Sequence, residues 1–172
     1  MDLRTRSHAG LARAIAAGAW SVVCAMVLAA PILASRGWHS ASAAFYLFFS
    51  PVCHQAPERS FAIWGYSLAV CHRCSGIYLG FLLGSLIDLP WVHKSPRARR
   101  CWTLAAILPL VIDVLAPYSG IWTNTYLSRF ATGFVFGILI SSLLVRGLAE
   151  LFDEVSQYRF ALDDSHSNGG LS

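Results

Sequence analysis

Four apolar runs, each close to the length of a bilayer crossing, limit this chain more than any other feature. They are Ala14 to Ala34, Gly76 to Trp91, Trp102 to Ala116 and Tyr126 to Val145, the third extending as far as Ile121. A bilayer needs roughly 17–25 apolar residues per spanning helix. Only 13% of the 172 residues are charged and 56% are hydrophobic. A soluble domain carries about 25% charge. The expected fold is therefore all-α, a polytopic membrane bundle of about four transmembrane helices. Pro109 falls inside the third run and should kink it, because proline frees the carbonyl one turn back.

Two shorter stretches, Ala41 to Val52 and Phe61 to Val70, cannot cross alone. Their Phe, Tyr and Trp content suits the headgroup level, so they read as interfacial or re-entrant helices. The first run could be a signal peptide with Leu33-Ala34-Ser35 as its cleavage region. At about 20 residues it exceeds the usual core of about 7–15, which favours a retained helix. Leu148, Leu151, Phe152 and Val155 recur at helical spacing among Glu150, Asp153 and Glu154, the pattern of an amphipathic inner-surface helix. Residues 1–160 read as one integral membrane domain and 161–172 as a disordered tail.

Positive charge sets the expected orientation. Arg4, Arg6 and Arg13 precede the first run, and Lys94, Arg97, Arg99 and Arg100 lie between the second and third without an acid. Such segments stay in the cytoplasm. Four spans then leave both termini inside the cell, in a cytoplasmic (inner) membrane. The segment of about residues 35–75 and the loop from Pro117 to Thr125 lie outside. The net charge of +4 is modest and sits beside apolar runs, so the lipid bilayer explains it and nucleic acid does not.

The outer segment holds the residues with chemistry. Cys53-His54 is followed by Cys71-His72-Arg73-Cys74. Thiolate and imidazole suit zinc, copper or iron, and a C-x-x-C turn can bring two sulfurs to one ion. The expected ligands are Cys53, Cys71 and Cys74 with His54 or His72, zinc being the favoured ion. The same turn could serve as a redox dithiol. Ser75 after Cys74 excludes a c-type haem attachment. Cys74, at a helix start beside Arg73, is expected to be thiolate-prone. Cys24 and Cys101 read as packing residues, and His8, His39, His93 and His166 as interfacial or tail residues without partners.

Gly76, Gly80 and Gly84 share one helical face, as do Gly133, Gly137 and Ser141. Such faces let backbones approach closely, within the chain or against a partner membrane protein. Asp88 continues the first of them. Asp113 and Arg129 both fall near the outer ends of their runs and are expected to pair, since intramembrane charges are costly alone. With Asn124 they form a clamp or a pocket. Glu58 and Arg59 read as a solvated loop pair, or Arg59, Arg73 and Arg129 as the holders of a substrate anion.

Cys53-His54-Gln55-x-Pro57-x-Arg59-Ser60-Phe61 and Cys71-x-Arg73-Cys74-x-Gly76-Ile77-Tyr78-x-Gly80 closely resemble the prokaryotic membrane-protein family catalogued as domain of unknown function 2085. Leu108-Pro109 with Asp113, Asn124, Arg129, Thr132-Gly133 and Gly137 is similar to that family's second half. The resemblance spans roughly residues 45–145. It implies a polytopic membrane protein and no particular activity. It also implies His54 rather than His72 as the fourth ligand, because the family does not fix a histidine before the motif arginine. Val114 departs from the glycine that tends to follow the family's aspartate. The leading reading is a membrane protein with a mainly structural metal site, serving as an accessory subunit. The alternatives are a thiol-disulfide oxidoreductase cycling Cys71 and Cys74, a transporter-like protein handling a metal or small molecule, and a scaffold.

Overall fold

The computed structural model describes residues 3–89, 95–120 and 123–168. It is mostly helical: α1 (Leu3–Ser35), α2 (His39–Phe49), α3 (His72–Leu86), α4 (Pro96–Leu115) and α5 (Tyr126–Asn168). Three of these are long and apolar enough to cross a bilayer, over His8–Ser35, Pro96–Ser119 and Tyr126–Arg159. Their flanks stay apolar and uncovered. Val22, Leu104, Leu108, Ile112, Leu127 and Leu144 are each more than half exposed. In water such a surface would drive aggregation, whereas acyl chains solvate it.

The expected second span is the exception. α3 has 15 residues, about 22 Å at 1.5 Å per residue. That is shorter than a hydrocarbon core of about 30 Å. The chain leaves the helix at Ile87, whose backbone is extended. Trp91, the expected end of this run, lies outside the described residues, as does His93.

α3 and α5 run parallel and carry the closest packing in the molecule. A Cβ on Gly76 would meet the Phe130 carbonyl, one on Gly80 the Phe134 carbonyl, and one on Gly84 the Ile138 carbonyl. From the other side, Gly133 faces the Arg73 carbonyl and Gly137 the Ile77 carbonyl. The two glycine faces are thus each other's partners within the chain. Dispersion between close backbones, rather than solvent exclusion, holds such a pair in lipid. The Ser141 hydroxyl extends the seam by donating to the Phe81 carbonyl at 2.8 Å.

α1 runs antiparallel to them. Trp20 stacks on Phe81 with ring centroids 4.3 Å apart. At one end Arg13 pairs with Asp88 at 2.8 Å and His8 with Asp153. His8 therefore has the partner that sequence did not reveal, and Asp88 turns to α1 at the bundle end. At the other end Val27 and Ala30 join Phe49, Cys53, Leu68, Ala69 and Val70 in the main buried cluster. The Ser42 hydroxyl donates to the Ala30 carbonyl at 2.7 Å and fastens α2 to α1.

Phe61 to Val70 is not a helix. Ala62–Ile63 (β1) and Tyr66–Ser67 (β2) pair as an antiparallel hairpin. Its two-residue loop has positive φ at both Trp64 (50°) and Gly65 (82°). This is the type I′ geometry whose twist matches a tight hairpin, and glycine tolerates it best. Ala41 to Val52 is helical as expected, over His39–Phe49. The C-terminal amphipathic segment continues α5 without a break, to Asn168.

Candidate metal centre

Two chain segments bring the cysteines together, and Gln55 holds them in register. After α2 the chain turns through Cys53, whose N–H donates to the Phe49 carbonyl at 3.0 Å. Gln55 follows with φ of 52°. Its amide nitrogen donates to the Tyr46 carbonyl at 2.7 Å and the Ala69 carbonyl at 2.8 Å. One side chain thereby ties the end of α2 to the segment between β2 and Cys71. The Tyr46 hydroxyl adds a second tie, donating to the Ser67 carbonyl. Cys71 then caps α3 with extended backbone, and Cys74 sits in the first turn.

The result is a three-sulfur cluster. The sulfurs of Cys53, Cys71 and Cys74 lie within 4.8 Å of one another. Cys53 is buried and the other two half-buried. Tetrahedral zinc thiolates, with bonds of about 2.3 Å, hold their sulfurs about 3.8 Å apart, so the cluster is a small contraction away from a shared ion. The Cys71 N–H donates to the Cys53 sulfur at 3.2 Å, which favours the thiolate a metal requires. All five cysteines are free thiols.

Hydrogen bonds from the Cys53 and Cys74 side chains hold the Cys71 thiol far below its usual range, against the opposing effect of burial. The corresponding contacts with Cys53 and Cys71, together with burial, push the Cys74 thiol up. This reverses the expectation from helix position. Arg73 does not assist Cys74, because its guanidinium turns to α4. A second or third thiolate in so small a space repels the first, unless a cation neutralises them.

Neither histidine joins the sulfurs in this structure. His54 is exposed beside Cys53. His72 is buried, its ring edge-on to Phe61 at 4.4 Å and 6.1 Å from Tyr126. Burial lowers its pKa, which favours the neutral ring.

Behind the cluster, the partner of Asp113 is Arg73 rather than Arg129. The Arg73 guanidinium meets the Asp113 carboxylate, whose side chain is 6% exposed. It also reaches the Asp113 main-chain carbonyl at 3.4 Å. That carbonyl has no helical donor, because the residue four further on is Pro117. The Asn124 amide donates to it as well. α3, α4 and the approach to α5 thus converge on one residue. The aspartate is therefore paired with α3 and not with α5.

Arg129 faces another space. With Glu58, Arg59, Ser60, Phe61, Ala62, His72, Asn124 and Tyr126 it lines a cleft of about 580 Å³. Glu58 and Arg59 are exposed and 3.8 Å apart, a solvated pair at its rim. Gln55 is the positioning residue the sequence reading passed over. Its place directly after Cys53-His54 was the available signal.

Residues 53–143, more than half of the chain, match the family described as predicted membrane protein, DUF2085. The chain belongs to that family. The matched stretch begins at Cys53 and ends within α5, so it contains the sulfur cluster, the Arg73–Asp113 pair and both glycine faces. An uncharacterised protein of Methanocaldococcus jannaschii is 35% identical over 109 residues, covering 62% of this chain and 69% of its own length. An uncharacterised protein of Methanothermobacter thermautotrophicus is 35% identical over 99 residues, covering 55% of this chain and 86% of its own. No solved structure matches the chain.

Proposed function

We propose that this is a cytoplasmic-membrane protein whose outer end is built around a mainly structural zinc site, and that it serves as an accessory subunit of a membrane assembly. The observation that carries the reading is the meeting of three sulfurs within 4.8 Å at the junction of α2, the hairpin and α3. Cys53 belongs to the main buried cluster, and Cys71 and Cys74 pack against it. An ion there would cross-link segments that are otherwise joined by few hydrogen bonds. His54 supplies the fourth ligand by turning inward from its exposed position. Three thiolates and an imidazole form a closed set, as structural zinc sites have.

In this reading α3 is a short fourth crossing from Gly76 to Leu86, and both termini are cytoplasmic. Its support is the ordering of charge. Arg13, Arg97, Arg99 and Arg100 belong to the starts of α1 and α4, the helix ends opposite the cysteines.

The test is metal content and free-thiol count on detergent-purified protein. About one zinc per chain, lost in C53S, C71S and C74S alike and weakened in H54A, is the expected result. No metal, with two thiols missing until reductant is added, would replace this reading by a dithiol oxidoreductase.

A further inference from the structure

The cleft beside the cysteine cluster combines features that a solvated loop does not need. Its walls come from three separate elements: the turn Pro57–Arg59 with the entry to β1, the first residue of α3, and the start of α5. Arg59 and Arg129 contribute positive charge, with Glu58 the only acid among the lining residues. Arg73 stands apart, neutralised by Asp113.

Two of the lining residues carry unmet hydrogen-bonding groups. Arg129 Nε is buried without a partner, and so is Asn124 Oδ1. The first is a charged donor and the second an acceptor. Asn124 cannot rotate to hide its oxygen, because its Nδ2 is committed to the Asp113 carbonyl. Leaving such groups buried and unpaired costs about 1–3 kcal/mol each, more for a charged group. Both atoms are closed off from water in the unliganded protein, so a ligand pairs with them on displacing what covers them, presenting an anionic oxygen to the arginine and a hydroxyl to the asparagine. The aromatic faces of Phe61 and Tyr126 line the same space and suit an apolar edge of the ligand.

We propose that this cleft binds a hydroxyl-bearing phosphate, with Arg129 and Arg59 on the anion and Asn124 Oδ1 accepting from the hydroxyl. Protonated inorganic phosphate and a glycerophosphate lipid headgroup share this chemistry. The arginine fork engages two phosphate oxygens in either case. The site is separate from the metal centre and does not depend on it.

The experiment is calorimetric titration of the full chain in a non-ionic detergent. One arm uses inorganic phosphate and the other dihexanoyl phosphatidylglycerol, with dihexanoyl phosphatidylcholine, whose zwitterionic headgroup has no net charge and no hydroxyl, as the control. Saturable binding in either charged arm is expected, at one site per chain. R129Q should weaken it at least tenfold and R59Q several-fold, while phosphatidylcholine gives no saturable heat. The arm that saturates identifies the source of the phosphate. R59Q changes an exposed side chain, so it remains informative should R129Q fail to fold. No saturable binding in either charged arm, or unchanged binding in R59Q and in any folded R129Q protein, would overturn the proposal.

Discussion

Arg73 of α3 and Asp113 of α4 form an ion pair whose carboxylate is almost wholly removed from the surface. Along with the glycine seam it decides how α4 sits on the α3–α5 core. Removing one partner of such a pair strands the other and costs about 3 kcal/mol. D113N and R73Q should each lower the unfolding midpoint markedly in detergent. The double variant should lose less than the sum of the two, because no charge is left stranded. Strict additivity would mean that the pair contributes nothing as a pair.

The glycine seam gives a sharper contrast. A Cβ at Gly80 would run into the Phe134 carbonyl and the Gly137 Cα, both backbone atoms that cannot rotate away. At Gly18 in α1 a Cβ would meet nothing within 4 Å. Gly80→Ala should therefore destabilise by about 1–3 kcal/mol, the range for overpacking. Gly18→Ala should be neutral or stabilising by up to about 1 kcal/mol through helix propensity. Thermal unfolding of the two variants side by side reads this directly. Equal effects would contradict the close α3–α5 approach.

The sequence disclosed these features unevenly, for physical reasons. Helical periodicity exposes a Gly-x-x-x-Gly face at once, so the α3–α5 seam could be anticipated from Gly76, Gly80, Gly84, Gly133 and Gly137. Cysteine spacing likewise marked the three sulfurs. Ionic partnership has no such local signature. Arg73 and Arg129 both fall at the same end of the bundle as Asp113, and no local pattern says which of them turns to it. The hairpin was missed because Phe61 to Val70 is apolar but for Ser67, with no polar alternation to mark two strands. Its sole turn signal is Gly65, preceded by a Trp64 that accepts positive φ. The end of the second run was set too far along the chain, because hydropathy continues past Leu86, whereas the helix stops there.

Gln55 offers a test of how the metal centre is assembled. Its bonds go to the Tyr46 and Ala69 carbonyls and not to the sulfurs, yet it sets the distance between the Cys53 and Cys71 segments. Groups that orient ligands in this way typically govern metal affinity by 10–100-fold. Q55A should retain one zinc per chain in metal-replete buffer but release it to a chelator at about tenfold lower concentration. Tyr46→Phe, which removes the second tie between the same segments, should act in the same direction and more weakly. Chelator competition with a zinc-sensitive dye measures both. Affinity unchanged in Q55A would mean that the cysteines are held by the core alone.

Orientation can be read from two engineered thiols. In a C24A/C101A background the remaining native cysteines are the clustered three, which bound metal would shield. Arg97, at the start of α4, and His39, at the start of α2, are both exposed. They belong to opposite ends of the bundle, since α1 carries the chain from the Arg13–Asp88 end to the end where α2 begins. With the arginine-bearing end cytoplasmic, a membrane-impermeant maleimide applied to intact cells should label H39C and leave R97C unmodified until the membrane is opened. Labelling of R97C alone from outside would invert the protein and put the sulfur cluster in the reducing cytoplasm. Labelling of both from outside would place the two bundle ends on the same face of the membrane and sink the reading of α1 as a crossing helix.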